Sequence, residues 1–145
     1  MPEINNTEAM RVWFRQCPAI SKANRFRADY LAESPTEYAV FSVPSMLRSS
    51  ENILGETVIL ADQTQNFIFA SKEVYGADIQ QNLANLAFYQ EVTEWIIQQN
   101  NEGNFPEWDG GKVKAILPTL TAYPAQVGSN VAKYQIQIRV DYRRN

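Results

Sequence analysis

Val131-Ala132-Lys133-Tyr134-Gln135-Ile136-Gln137-Ile138-Arg139-Val140-Asp141-Tyr142-Arg143 alternates without a break. Ala132, Tyr134, Ile136, Ile138, Val140 and Tyr142 fall on one side, and Lys133, Gln135, Gln137, Arg139, Asp141 and Arg143 on the other. A period of two, carried by β-branched and aromatic residues, predicts a strand with one dry and one wet face. Such a strand must join a sheet, or its unpaired backbone becomes a template for another chain.

Upstream, Lys112 to Tyr123 has a second extended pattern, after a turn at Asp109-Gly110-Gly111. Pro118 lies inside it and donates no backbone hydrogen bond, which predicts an edge position or a bulge. Gln126 to Asn130 reads as the turn into the final strand, so the two strands are expected to pair as an antiparallel hairpin. Before them, from about Asp78 to Asn100, apolar residues recur at three- and four-residue steps: Ile79, Leu83, Leu86, Tyr89 or Gln90, Val92, Trp95 and Ile96. This predicts one long helix of about 34 Å, with Asp78 at its positive end and Gly103 and Pro106 stopping it. Its stripe is the expected partner of the dry strand face.

Nearer the N-terminus, Thr7 is a candidate N-cap for a short helix over Glu8 to Gln16, ended by Pro18. An extended piece is expected around Ala28 to Ala32, and a strand over Glu37 to Val43. Thr57 to Ala61 and Phe67 to Ala70 are apolar runs split by Asp62-Gln63-Thr64-Gln65-Asn66, read as turn residues within a hairpin or at the kink of one long strand. Residues 44–56 are polar and lack steady periodicity, and are expected to be a mobile loop or an extended arm. The order of elements predicts an α+β fold, a mainly antiparallel sheet with a long helix and a short N-terminal helix packed on one face. A single domain over residues 1–145 accommodates it.

Composition narrows the chemistry. At 45% hydrophobic and 20% charged, the chain matches an ordinary globular protein, and no apolar run approaches the roughly 20 residues of a membrane span. The first residues lack the basic and apolar segments of a secretory signal, so folding is expected in a cytoplasm. With Cys17 as the sole cysteine, no intrachain disulfide forms; flanked by Trp13, Phe14, Pro18 and Ile20, it reads as a small buried hydrophobe. The chain has no histidine, which removes Ser-His-Asp and Cys-His catalysis and histidine metal sites. Glu91 and Glu94 share a helix face but have no third ligand or base nearby in sequence, and read as solvated. Gly110-Gly111-Lys112 lacks the flanking glycine and following hydroxyl of a phosphate loop. No catalytic, cofactor-binding or metal-binding residue is assigned, and the chain is expected not to be an enzyme.

Net charge is −3 but unevenly spread. Arg11, Arg15, Lys22, Arg25 and Arg27 make the first 30 residues basic, and Lys133, Arg139, Arg143 and Arg144 do so for the last 15. The middle holds twelve acidic side chains against Arg48, Lys72, Lys112 and Lys114. Such asymmetry is either a solvated accident or a pair of complementary surfaces suited to head-to-tail subunit contacts. Overall acidity argues against a dedicated nucleic-acid binder. Most aromatics sit at core-periodic positions, but Trp108, in Phe105-Pro106-Glu107-Trp108-Asp109, is less easily placed there and is an expected anchor of a subunit contact.

Four segments carry a family resemblance: Val12-Trp13-Phe14-Arg15-Gln16-Cys17-Pro18; Asp29-Tyr30-Leu31 with Pro35-Thr36-Glu37-Tyr38; Tyr75-Gly76-Ala77-Asp78-Ile79-Gln80-Gln81-Asn82-Leu83-Ala84-Asn85 running into Phe88-Tyr89 and Trp95-Ile96; and Ala132-Lys133-Tyr134-Gln135-Ile136-Gln137. Over most of its length the chain resembles small tail-terminator or "minor capsid" proteins of long-tailed bacteriophages of Gram-positive bacteria. Residues 44–56 and those after Trp108 match least. The resemblance implies a structural virion protein assembled in the host bacterial cytoplasm. It implies a homo-oligomeric ring, a hexamer, at the head-proximal end of the tail tube, which stops tube polymerisation and joins tail to head. The implied partners are the tail tube protein and a head-completion or connector protein, with DNA only as cargo through the channel, no membrane and no cofactor. On this reading Lys133, Gln135, Gln137, Arg139, Asp141 and Arg143 are candidate ring contacts or line its inner wall. The alternatives are another head-tail connector such as a stopper, a decoration or minor capsid protein, and, more remotely, a small-ligand binding module with an aromatic pocket between helix and sheet.

Overall fold

A computed structural model of the chain describes residues 6–21, 26–28, 37–44, 47–74, 79–127 and 131–145. The elements run α1 (Asn6–Phe14), α2 (Pro18–Ser21), β1 (Phe26–Ala28), β2 (Glu37–Val43), β3 (Ser49–Glu51), β4 (Thr57–Ile59), β5 (Asp62–Val74), α3 (Ile79–Glu102), β6 (Gly111–Val127) and β7 (Val131–Arg144). Five strands form one sheet in the order β1-β2-β5-β7-β6, antiparallel except where β1 meets β2, and β3 and β4 form a separate two-stranded hairpin. The fold is α+β, as the sequence pattern predicts.

The alternating segment 131–143 lies within β7, paired on both sides, with β5 from Asp62↔Arg143 to Val74↔Val131 and with β6 from Gly111↔Arg144 to Val127↔Ala132. Its backbone therefore offers no free edge. The edge passes to β6, whose pairing shifts register at four places, including between Pro118 and Leu120. Pro118 thus sits on an edge strand at an irregularity, and both features discourage pairing with a further strand.

Tyr134, Ile136, Ile138 and Val140 are buried together with Phe67 and Phe69 of β5, Tyr38 and Val40 of β2, and Val113 and Ile116 of β6. Against this inner face pack Met10, Trp13 and Phe14 of α1 and Tyr89, Val92 and Ile96 of α3. Phe14 meets Phe69 at 5.1 Å between ring centroids, and Trp13 meets Trp95 at 4.6 Å. A buried polar knot joins the layers: the Tyr89 hydroxyl donates to the Tyr134 carbonyl at 3.1 Å and is hydrogen-bonded to the Ser71 hydroxyl. With the phenolic proton committed to the carbonyl, Ser71 is left to donate to the phenol oxygen.

Beyond Glu102, Gly103 has φ +73°, its N–H donates to the Asn100 carbonyl, and the Asn104 N–H reaches back to the Gln99 carbonyl at 3.0 Å. That is a Schellman stop, which needs a residue tolerant of positive φ at this position. The Asn104 carbonyl also accepts the indole N–H of Trp13 at 2.9 Å, so the helix stop is tied to α1.

Several expectations are corrected. Leu83 and Leu86 do not meet the sheet: they are 59% and 44% exposed, and the buried line is Tyr89, Val92, Ile96 and Gln99. At 3.6 residues per turn Leu83 lies about 160° and Leu86 about 100° round the helix from the centre of the buried line, so the apparent single stripe was two. Asp62–Asn66 is not a turn but the beginning of β5, after a bend at Ala61. Pro18 ends α1 and also opens α2, where its fixed φ suits a first helical turn and its missing N–H costs nothing. The mobile loop or extended arm expected over residues 44–56 is not overturned: the stretch contains β3 and a tight turn, which form half of a paired hairpin. Residues 29–32 and Asp78, expected to be extended backbone and a helix cap, lie outside the described residues, as do 128–130 of the expected turn.

Candidate functional site

Alternation puts Lys133, Gln135, Gln137, Arg139, Asp141 and Arg143 on the outer face of the sheet, opposite the helices. Arg143 is exposed and the other five are half-buried. Their cross-strand partners show that this face is mixed. Phe41 pairs with Ile68 and Ile68 with Gln137, while Asn66 and Leu117 flank Arg139. An apolar lane from Phe41 to Ile68 therefore crosses a field of amides and cations. The Lys133 ammonium stands over the Phe41 ring, 5.3 Å from its centroid. This geometry keeps the charge at the lane's margin and covers part of the ring.

Toward the Arg143 end the charges interlock. Asp141 accepts a hydrogen bond from the Thr64 hydroxyl at 2.9 Å, and Arg139 Nε stands 3.4 Å from the same carboxylate oxygen. Arg139 Nε is buried but not aligned for a hydrogen bond with any described residue. Lys114 pairs with Asp62 at 3.3 Å. Arg48 joins these groups around a concavity of about 380 Å³. Among the described side chains of this face and its rim, Lys112, Lys114, Lys133, Arg139 and Arg143 outnumber Asp62 and Asp141, so that part of the surface is net positive.

The second part of the site is the hairpin of β3 and β4, which sequence reasoning did not resolve. Its register is Ser49↔Ile59, Ser50↔Val58 and Glu51↔Thr57. At the tip, the Asn52 side-chain carbonyl accepts the N–H groups of Leu54 and Glu56, each at 2.9 Å, and Gly55 turns the chain with φ +80°. Asn52 thereby supplies acceptors that the short turn's own backbone cannot. At the base, the Leu60 N–H donates to the Arg48 carbonyl at 3.0 Å. The Gln63 amide, 2% exposed, clamps the same place: its Nε2 donates to the carbonyls of Arg48 and Leu60, and its Oε1 accepts the Arg48 N–H.

Between this clamp and the tip, β3 and β4 have each other as their main neighbours. All three residues of each strand are exposed. Ile53 is 100% and Leu54 78% exposed, and Leu47, Val58 and Ile59 add further apolar surface. Glu51 and Glu56 flank the tip and make no ion pair among the described residues. The Asn52…Gly55 spacing was a legible turn signal, but Ser-Ser-Glu is a poor strand sequence and hid its partner.

Trp108, expected as an anchor of a subunit contact, is placed by the fold among the core residues. It is 9% exposed and packs edge-on to Phe67 at 5.9 Å and against Tyr142 at 5.2 Å, closing the core at the Arg143 end of the sheet. No helix among the described residues is long and apolar enough to cross a membrane. No protein-family model matches the chain, and no curated protein matches it in sequence.

Proposed function

We propose that this chain is a structural protein that associates with copies of itself, and that it serves as a tail terminator. In that role it forms a ring at the head-proximal end of a phage tail tube, stops tube growth and joins tail to head. The observation that carries the self-association is the hairpin arm. A two-stranded hairpin by itself is marginal in water, and this one presents Ile53 and Leu54 to solvent at its tip. A turn built by Asn52 and Gly55 and a base clamped by Gln63 hold it in shape, ready to bury that tip against something else. The more specific assignment to the phage neck is supported by the resemblance in segments such as Val12–Pro18 and Ala132–Gln137, together with the α+β architecture.

A ligand-binding module is the less favoured reading, because the space between α3 and the sheet is occupied by Tyr89, whose ring contacts those of Phe69 and Tyr134. Negative-stain electron microscopy of the protein, alone and added to polymerising tail tube protein, tests the proposal. Rings with a central opening and tubes capped at one end are expected. Dispersed monomers together with tubes of unaltered length would contradict it.

A further inference from the structure

The arm and the outer sheet face are complementary to each other. The arm tip is apolar and acidic: Ile53 and Leu54 between Glu51 and Glu56. The outer face offers an apolar lane, Phe41 to Ile68, edged by Lys133 and Arg139 within a net positive surface. Burying the two aliphatic side chains removes exposed apolar area, while the carboxylates gain cations that are already partly desolvated. We propose that the arm of one copy lies across the outer sheet face of a second copy, with Ile53 and Leu54 on the Phe41–Ile68 lane and Glu51 and Glu56 toward Lys133 and Arg139. This rests on the self-association reading above and names the surfaces that carry it.

Dimensions agree with such a contact. From Arg48 to Ile53 the arm extends about 17 Å at about 3.4 Å per residue, while a row across three strands of the face spans about 10 Å. The two surfaces are different patches of one chain, so the contact is heterologous. Each copy gives an arm and receives one, and the series closes into a ring if the rotation between copies permits. In this arrangement the half-exposed guanidinium of Arg139, whose Nε stands 3.4 Å from Asp141, would gain a second carboxylate from the neighbouring arm.

Charge exchange tests the pairing. An arm-reversed chain (Glu51→Lys with Glu56→Lys) and a face-reversed chain (Lys133→Glu with Arg139→Glu) should each associate at least about tenfold more weakly than the unaltered protein, with unchanged circular dichroism. A one-to-one mixture of the two should recover association, because each arm then finds an opposite charge. Full association of the arm-reversed chain, or no recovery in the mixture, would overturn the arm-to-face contact and leave self-association standing. A monomeric unaltered protein at every concentration would overturn both. Should either reversed chain misfold, mixing Ile53→Cys with Ile68→Cys chains under mild oxidation gives an independent reading. A disulfide-linked pair of the two chains is expected, and its absence at concentrations where the chains associate would overturn the contact.

Discussion

The side chain of Gln63 holds Arg48 by both of its backbone groups, accepting its N–H at 2.8 Å and donating to its carbonyl at 2.9 Å. An amide side chain thus pairs with residue 48 as a neighbouring strand would, and a second bond from the same nitrogen to Leu60 closes the base of the arm. Replacing Gln63 with Leu keeps a buried side chain but removes all three bonds. The expected cost is about 1–3 kcal/mol, because the Arg48 N–H and the Leu60 carbonyl lose their partner at a part-buried place, while the Arg48 carbonyl keeps the Leu60 N–H. Limited proteolysis should show much faster cleavage between residues 48 and 60 in Gln63→Leu, while strand circular dichroism is retained.

Tyr89 joins α3 to β5 and β7 through one hydroxyl. Tyr89→Phe keeps the ring stacked on Tyr134 and removes the hydrogen bonds to Ser71 and to the Tyr134 carbonyl. A loss of about 1–2 kcal/mol in urea unfolding is expected, with an unchanged m-value because the fold buries the same surface.

Trp108 separates core packing from association. As a ring packed on Phe67 and Tyr142, its replacement by Ala should destabilise the monomer by about 3–5 kcal/mol. A surface anchor would instead weaken association and leave thermal unfolding of the monomer unmoved. Calorimetry on dilute protein distinguishes the two.

Glu8 gives a pH dependence with a defined sign. Its hydrogen bond with Arg11, three residues on, holds its carboxyl below the ordinary glutamate range. The folded value is depressed, so the stabilisation is fully present above the unfolded value near pH 4.3 and is lost as pH falls through the folded one. Both partners are partly exposed, which limits the pair to about 0.3 kcal/mol. Melting temperatures of Glu8→Gln and the unaltered protein should differ slightly at pH 7 and converge at pH 2.5.

The β7 strand was legible in the sequence because its neighbours bury one face completely, and a period of two is then forced on the residues. Pro118 was equally legible, since a missing N–H restricts where a strand can lie. Asp62–Asn66 was not, because its polarity suits a turn equally well. What makes it a strand is its backbone pairing with Arg139–Arg143, reinforced by the bond from Thr64 to Asp141, 77 residues away. Leu83 and Leu86 misled for a different reason: periodicity reports an apolar stripe but not which of two stripes meets the sheet. The wet face was correctly placed from alternation. Its counterpart on the arm required knowing that Ser49–Glu51 pairs with Thr57–Ile59, which local propensity does not dictate.

Self-association is the central claim, and the mass of the protein in solution tests it most directly. Light scattering over a concentration series should show one discrete assembly of about six 16.5 kDa chains growing at the expense of monomer. A mass of 16.5 kDa at every concentration, with no larger species, would contradict the account.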